Sequence, residues 1–220
     1  MSLSPDSIDT VLFDLDGTLV DNFTAIHRCY AEVAVELGFA PKSYEEVRAA
    51  VGGSISVTMR KLLPESVADR AAELYRQKFP AVMHEGLFVY EGVERLVRNL
   101  HSRGYKVAVF TNKEITVTRR LLEHLGFDHF FHGVIGTGDT PWRKPQPEFT
   151  RHALEVLGSS PSRTIMVGDS PFDIAAARNG GLRAVHCVTT GSHSAEQLAH
   201  DKPDGIHAGM DELGRAVFGF

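Results

Sequence analysis

The chain has 220 residues, 43% of them hydrophobic and 23% charged, and a formal net charge of −5; that is enough chain for a full core plus an insertion, and the acidic balance argues against nucleic-acid or anionic-membrane partners, which want a basic face. No apolar run approaches the roughly 18–20 residues of a membrane span, and the N-terminal residues lack the basic and apolar regions of a signal peptide. Cys29 and Cys187 stand alone without C-x-x-C spacing, so reduced thiols and a cytoplasmic location are expected.

Val11, Leu12 and Phe13 form an apolar, β-favouring run, the pattern of a buried parallel strand. Asp14 and Asp16 follow, then Gly17. An unpaired carboxylate in a dry interior costs several kcal/mol, so both belong where the strand emerges into a cleft. In an open α/β sheet that is the carboxyl end of the strands. Alternation along a strand sends residues i and i+2 to one side. The competing reading is a strand ending in a solvated acidic turn; on these residues alone the two stand level.

Helix signals begin at once. Phe23, Ile26, Tyr30, Val33 and Leu37 recur at three- and four-residue spacing, with Asp21 or Asn22 as N-cap and Gly38 as the stop. Residues 44–50, 56–63 (ended by Pro64) and 66–83 continue the helical pattern, and Gly52-Gly53-Ser54 is the flexible turn among them. A parallel crossover needs only a dozen or so residues, so residues 21–87 are expected to be an all-helical insertion, a cap, in a core made of 1–20 and 88–220. From Gly86 the chain alternates: helix 93–100, strand 106–112, helix 115–125, strand 133–137, helix 148–157, strand 164–169, helix 172–179, strand 183–188, a short strand 205–207 and a last helix 211–217. Such alternation specifies a parallel sheet with helices on both faces. The expected fold is a doubly wound, Rossmann-like α/β core with an inserted all-helical cap.

Three later strand ends are also polar. The second strand ends in Thr111-Asn112-Lys113, the loop after the third carries Lys144 between Arg143 and Pro145, and the fourth ends in Gly168-Asp169-Ser170 with Asp173 one turn on. Parallel strands point these ends the same way, so they converge on Asp14 and Asp16. Four carboxylates at short range cannot all ionise without a cation, and hard oxygen ligands of this kind suit Mg²⁺. Thr111, Asn112 and Lys144 supply donors for a tetrahedral oxyanion such as phosphate. Taken singly, each has a plainer reading: Asp169 and Asp173 as a helix cap and dipole partner, Thr111 as a strand former. Lys113 rivals Lys144 for the phosphate, but at a helix start it reads as solvated. The 11 histidines show no metal-ligand spacing.

Together these residues resemble the four motifs of the haloacid dehalogenase-like hydrolase superfamily: Asp14-Leu15-Asp16-Gly17-Thr18, then Thr111, then Lys144 in Lys-Pro-x-Pro, then Gly168-Asp169-x-x-x-Asp173. The likeness runs over essentially the whole chain and is strongest to the phosphoglycolate phosphatase-like branch. It implies Mg²⁺-dependent hydrolysis of a small phosphorylated metabolite through an aspartyl-phosphate. Asp14 is then the nucleophile and Asp16 the general acid/base. Asp14, the Asp16 backbone carbonyl and Asp169 hold the metal, with Asp173 supporting them. Thr111, Asn112 and Lys144 hold the phosphoryl oxygens. The cap would supply specificity, with the Gly53 turn and Arg60 as candidate contacts; the plainer reading of Arg60 is a solvated charge. A sugar phosphomutase shares the motifs; Gly17-Thr18 rather than Gly-Val tilts the reading towards the phosphatase. A non-enzymatic receiver-like phospho-switch is the distant alternative, because receivers have no helical insertion after strand one. Oligomeric state is not legible.

Overall fold

The computed structural model describes residues 8–220; residues 1–7, part of the stretch searched for a signal segment, lie outside it. Six parallel strands form one sheet in the order β5-β4-β1-β6-β7-β8. They are β1 (Thr10–Phe13), β4 (Lys106–Glu114), β5 (Gly133–Thr137), β6 (Thr164–Gly168), β7 (Ala184–Val188) and β8 (Gly205–His207). β1 sits centrally, registered Phe13 to Val109 on one side and Phe13 to Val167 on the other. Two-residue alternation divides the core between the faces. Val11, Phe13, Val107, Val109, Ile165 and Val167 feed one buried apolar cluster. Leu12, Ala108, Phe110 and Met166 feed the other. A strand apolar on both faces is the mark of a sheet covered on both sides.

Helices α5 (Val93–Ser102) and α6 (Ile115–His124) pack into the first cluster. Helices α7 (Pro147–Leu157) and α8 (Pro171–Asn179) pack into the second. These elements fall where the sequence pattern puts them. The last helix instead breaks early: α10 (Met210–Leu213) gives way to a wider turn over Gly214–Phe218. A short helix unread in the sequence, α9 (Ala195–Ala199), is started by Ser194 and Gln197 capping each other.

Between the first two strands of the sheet lie four helices: α1 (Phe23–Glu36), α2 (Tyr44–Ala50), α3 (Ile55–Leu62) and α4 (Glu65–Val82). Their apolar faces join the first cluster, so the insertion and the sheet share one hydrophobic body. The chain enters and leaves the insertion through a ribbon of β2 (Val20–Asp21) and β3 (Phe88–Val89), paired antiparallel. Two-residue strands carry no readable periodicity, and this ribbon escaped the sequence pattern. Asp21 belongs to it. Its carboxylate accepts the N–H of Phe23 at 3.0 Å and the Tyr90 hydroxyl at 3.1 Å. The helix start is therefore capped from one residue further back than the N-cap, Asn22, whose own side chain makes no cap bond. A further tie joins insertion to core: the Arg48 guanidinium of α2 donates to the Thr190 carbonyl at 2.8 Å.

Candidate active site

Because the sheet is parallel, the carboxyl ends of β1, β4 and β6 open on one side, and groups from or just beyond all three meet around one ammonium group. Lys144 is completely enclosed and donates to Asp173 Oδ1 at 2.6 Å and the Phe110 carbonyl at 3.0 Å, with Asp14 Oδ1 at 3.0 Å. Those contacts match the three N–H donors a lysine has. Asp14, one residue past β1, also accepts the Leu15 N–H at 2.7 Å on the same oxygen. Its second oxygen is the one left for a ligand.

Asp173 combines two of the roles read separately in the sequence. While Oδ1 holds Lys144, Oδ2 accepts the Ser170 N–H at 3.0 Å, the Ser170 hydroxyl at 2.7 Å and the Asp169 N–H at 3.2 Å. It closes the first turn of α8 and anchors the lysine at once. Asp169 is not the helix cap, since Ser170 takes that position. Its Oδ2 instead accepts the Ser192 N–H at 2.7 Å and the Ser192 hydroxyl at 2.8 Å, and its Oδ1 accepts the Thr18 hydroxyl at 3.2 Å. Backbone approaches this carboxylate closely. Gly17, held at φ +85°, and Gly191 leave no room for a Cβ: one built on either would strike the Asp169 carboxylate.

Asp14, Asp169 and Asp173 bring carboxylate oxygens within 4.8 Å of one another. One ammonium against three buried carboxylates leaves negative charge unneutralised. Burial pushes Asp14 up to about 7, with Asp173 and Asp169 adding to the shift and Lys144 opposing it. Burial likewise lifts Asp169 to about 6, helped by Asp173 and opposed by Ser192 and Lys144. Lys144 moves up from its ordinary value: burial works against its charge, but Asp14 and Asp173 outweigh it. An all-oxygen, over-negative pocket of this kind fits a hard divalent cation. Asp14 and Asp169 are the carboxylates with capacity to spare, because Asp173 is spent on Lys144, Ser170 and the Asp169 N–H.

The Asp16 carboxylate does not join this trio. It lies against the Lys113 ammonium, 2.8 Å through Oδ2 and 3.1 Å through Oδ1. The expectation that Lys113 is solvated is thereby corrected. β4 runs on to Glu114 rather than stopping at Asn112, so Lys113 stays on extended backbone facing inward, its side chain only 11% exposed. Asn112 uses its side-chain amide internally: Oδ1 accepts the Lys144 N–H at 2.7 Å, and Nδ2 donates to the Lys144 and Gly52 carbonyls at 3.2 and 3.1 Å. The amide thus braces the Lys144 loop and touches the insertion. Thr111 is buried beside it, and its hydroxyl accepts the Lys113 N–H at 3.2 Å.

A cavity of about 270 Å³ lies between sheet and insertion, floored by Asp14, Asp16, Thr111, Asn112 and Lys113 and roofed by Gly53, Ile55, Tyr75 and Phe79. Gly53 is where its turn was expected. Arg60 is not in the lining; it bridges exposed carboxylates of Glu65 at 2.9 Å and Asp69 at 2.6 Å. The insertion's cation in the lining is Arg76 of α4. Ser192 and Gly191 are the site residues that motif reading passed over; Thr18 was read in the first motif without its contact to Asp169, and Lys113 was weighed and read as solvated. For Lys113 the local signal was weak: Asn112, Lys113 and Glu114 are poor strand formers, and the pairing of Glu114 with Thr137 of β5 is what carries β4 past them.

Comparison with known proteins agrees with this geometry. A family profile described as haloacid dehalogenase-like hydrolase matches residues 11–187. The chain is 33% identical to a phosphoglycolate phosphatase of Neisseria meningitidis, covering 97% of this chain and 95% of that one. It is 31% identical to a phosphoglycolate phosphatase of Vibrio cholerae, covering 94% and 95%. A solved structure from Clostridium acetobutylicum, called a predicted phosphatase, superposes with a TM-score of 0.88 at 27% identity, over 95% of this chain and 97% of that one. The profile spans most of the chain, and its limits enclose Asp14, Lys144 and Asp169; the chain belongs to the haloacid dehalogenase-like hydrolase family, on its phosphoglycolate phosphatase-like branch, and is a phosphatase.

Proposed function

We propose that the chain hydrolyses a small phosphate monoester of the phosphoglycolate kind, with Asp14 as nucleophile and Mg²⁺ as the bound cation. The observation that carries this reading is the enclosed Asp14–Lys144–Asp173 triad beside Asp169, of which Asp14 reaches the wall of a cavity at the small end of ligand sites. Asp14, Asp169 and the Asp16 carbonyl would hold the ion, which when bound offsets the negative charge shared by the carboxylates and a phosphoryl group. The Asp14 carboxylate attacks phosphorus while the ester P–O bond breaks, and Asp16 gives its proton to the departing alkoxide. Asp16, now a carboxylate, takes a proton from water as that water attacks the same phosphorus. The bond to Asp14 breaks, leaving inorganic phosphate and the free carboxylate. Thr111 of the cavity lining would hold the transferring oxygens, and Lys144 would join it by giving up one of its present contacts, since phosphoryl transfer needs mainly positioning and charge neutralisation.

Phosphate release from a panel of esters, with and without a chelator, tests the reading. Release from phosphoglycolate that the chelator abolishes and Mg²⁺ restores is the expected result. Interconversion of sugar-phosphate isomers faster than release of free phosphate would favour a mutase instead. The helical insertion, on this reading, is the cap that encloses the substrate and keeps water out.

The cation also carries a pH signature. Asp14 titrates near 7 in the fold against an ordinary 3.8, and Asp169 near 6. A raised carboxylate pKa favours the folded state while the proton is on, so the metal-free protein loses that stability as pH climbs from about 4 to about 7. A cation replaces the proton, and below the raised values it must displace it. Mg²⁺ at ~100 times its dissociation constant is expected to raise the melting temperature by about 5–10 °C at pH 8. At pH 5 and the same concentration the rise should be much smaller. Equal rises at both pH values would rule out these two carboxylates as the ligands.

A further inference from the structure

Resting on the phosphatase reading, we infer that Lys113 is the specificity-determining residue that receives a second anionic group of the substrate, one carbon away from the ester oxygen. Its placement provides the argument. Asp16 takes two of the three N–H donors of Lys113, at 2.8 and 3.1 Å. Among the described residues no acceptor takes the third. One flank of the ammonium is apolar: the Phe79 ring of α4 lies 4.7 Å away, and Tyr75 stacks on that ring at 5.0 Å. A donor in so little water binds an anion more strongly than one in bulk solvent.

Position selects which anion. If Asp16 protonates the leaving oxygen, that oxygen lies one hydrogen bond from the carboxylate, and Lys113 lies one hydrogen bond from it on the other side. The ammonium is then within about two hydrogen-bond lengths, ~5–6 Å, of the ester oxygen. A carboxylate bonded directly to the ester carbon falls inside that reach; a distant charge on a long substrate does not. The other cation of the cavity lining, Arg76, is exposed and directed to the Ser56 hydroxyl at 3.2 Å, at the rim rather than beside Asp16. Glu114, next in the chain to Lys113, is exposed at the mouth and would repel a second anion there.

Three esters of similar size and different charge test this without any variant: phosphoglycolate, ethyl phosphate and 2-aminoethyl phosphate. The wild-type kcat/KM is expected to fall in that order, with phosphoglycolate at least about 30-fold above ethyl phosphate, the range of a hydrogen bond to a charged group. Lys113→Met should cut the phosphoglycolate to ethyl phosphate ratio at least about tenfold, whatever it does to each rate. Arg76→Met should leave the ratio within about threefold. A wild-type ratio near one, a ratio unmoved in Lys113→Met, or a ratio lost in Arg76→Met instead would overturn the assignment while phosphate release itself leaves the phosphatase reading standing. Release from none of the three esters would instead overturn that reading, and this inference with it.

Discussion

Asp14→Asn is expected to release phosphate at least about 10,000-fold more slowly than wild type, because the substitution removes the attacking oxygen anion and keeps the shape. The side chain sits one residue beyond the central strand of the sheet, fixed on one oxygen by the Leu15 N–H and by Lys144. Nothing else in that position could serve as a nucleophile: Asp16 is clamped to Lys113 and Asp169 to Ser192. Loss of folding is not the explanation to fear. An amide carries no charge to desolvate, so the metal-free variant should melt no lower than wild type at pH 8, where ionised Asp14 is disfavoured by burial. Phosphate release and thermal unfolding, measured on the same sample, separate the two effects. Wild-type turnover by Asp14→Asn would end the nucleophile assignment.

Lys144→Met is the substitution expected to damage both stability and turnover. The side chain is wholly enclosed and contacts Asp14 and Asp173, whose side chains are 5% and 0% exposed. Removing one partner of a buried ion pair typically costs about 3–5 kcal/mol, because the charges left behind have neither water nor counter-ion. Asp173 also closes the first turn of α8, so the helix start that positions Asp169 should loosen with it. Turnover should fall by about 100–1,000-fold beyond any loss of folded protein, the range for deleting one group that stabilises developing charge. Acid should relieve the stability defect, since Asp14 can carry a proton in place of facing an ammonium. Urea unfolding at pH 5 and pH 8 checks this: a gap between variant and wild type that is wider at pH 8 is expected. A gap under about 1 kcal/mol at both values would show that the lysine is dispensable to the fold.

What the sequence displayed and what it concealed follow from range. Val11–Phe13, Lys106–Phe110 and Thr164–Gly168 are apolar on both faces, so their burial and parallel pairing could be read locally, and with them the convergence of Asp14, Thr111 and Asp169. The Ser192 contact to Asp169 spans 23 residues and has no fixed spacing to announce it. Lys113 turned on where β4 ends: two more extended residues moved it from a solvated helix start to a cavity wall. Arg60 shows the reverse case, where the plainer of its two readings fits the structure. A basic residue on the insertion suggested a ligand contact, but Glu65 and Asp69, lying just beyond Pro64, hold it at the surface. The same composition argument applies to Arg76, which the sequence reading did not single out, and only the packing of α4 distinguishes the two.

For anyone planning to engineer this chain, the turn after β7 deserves a warning label. Thr190, Gly191 and Ser192 lie between a strand and a short helix, the sort of surface connection normally chosen for grafting a tag or splitting the chain. Yet the Thr190 carbonyl receives Arg48 from the helical insertion, its hydroxyl donates to the Gly17 carbonyl, Gly191 packs against Asp169, and Ser192 donates to it twice. Three successive residues thus join both halves of the cleft to one carboxylate. A graft there would be spliced into the machinery itself, whereas the exposed turn at residues 102–104 carries no such connections to the cleft.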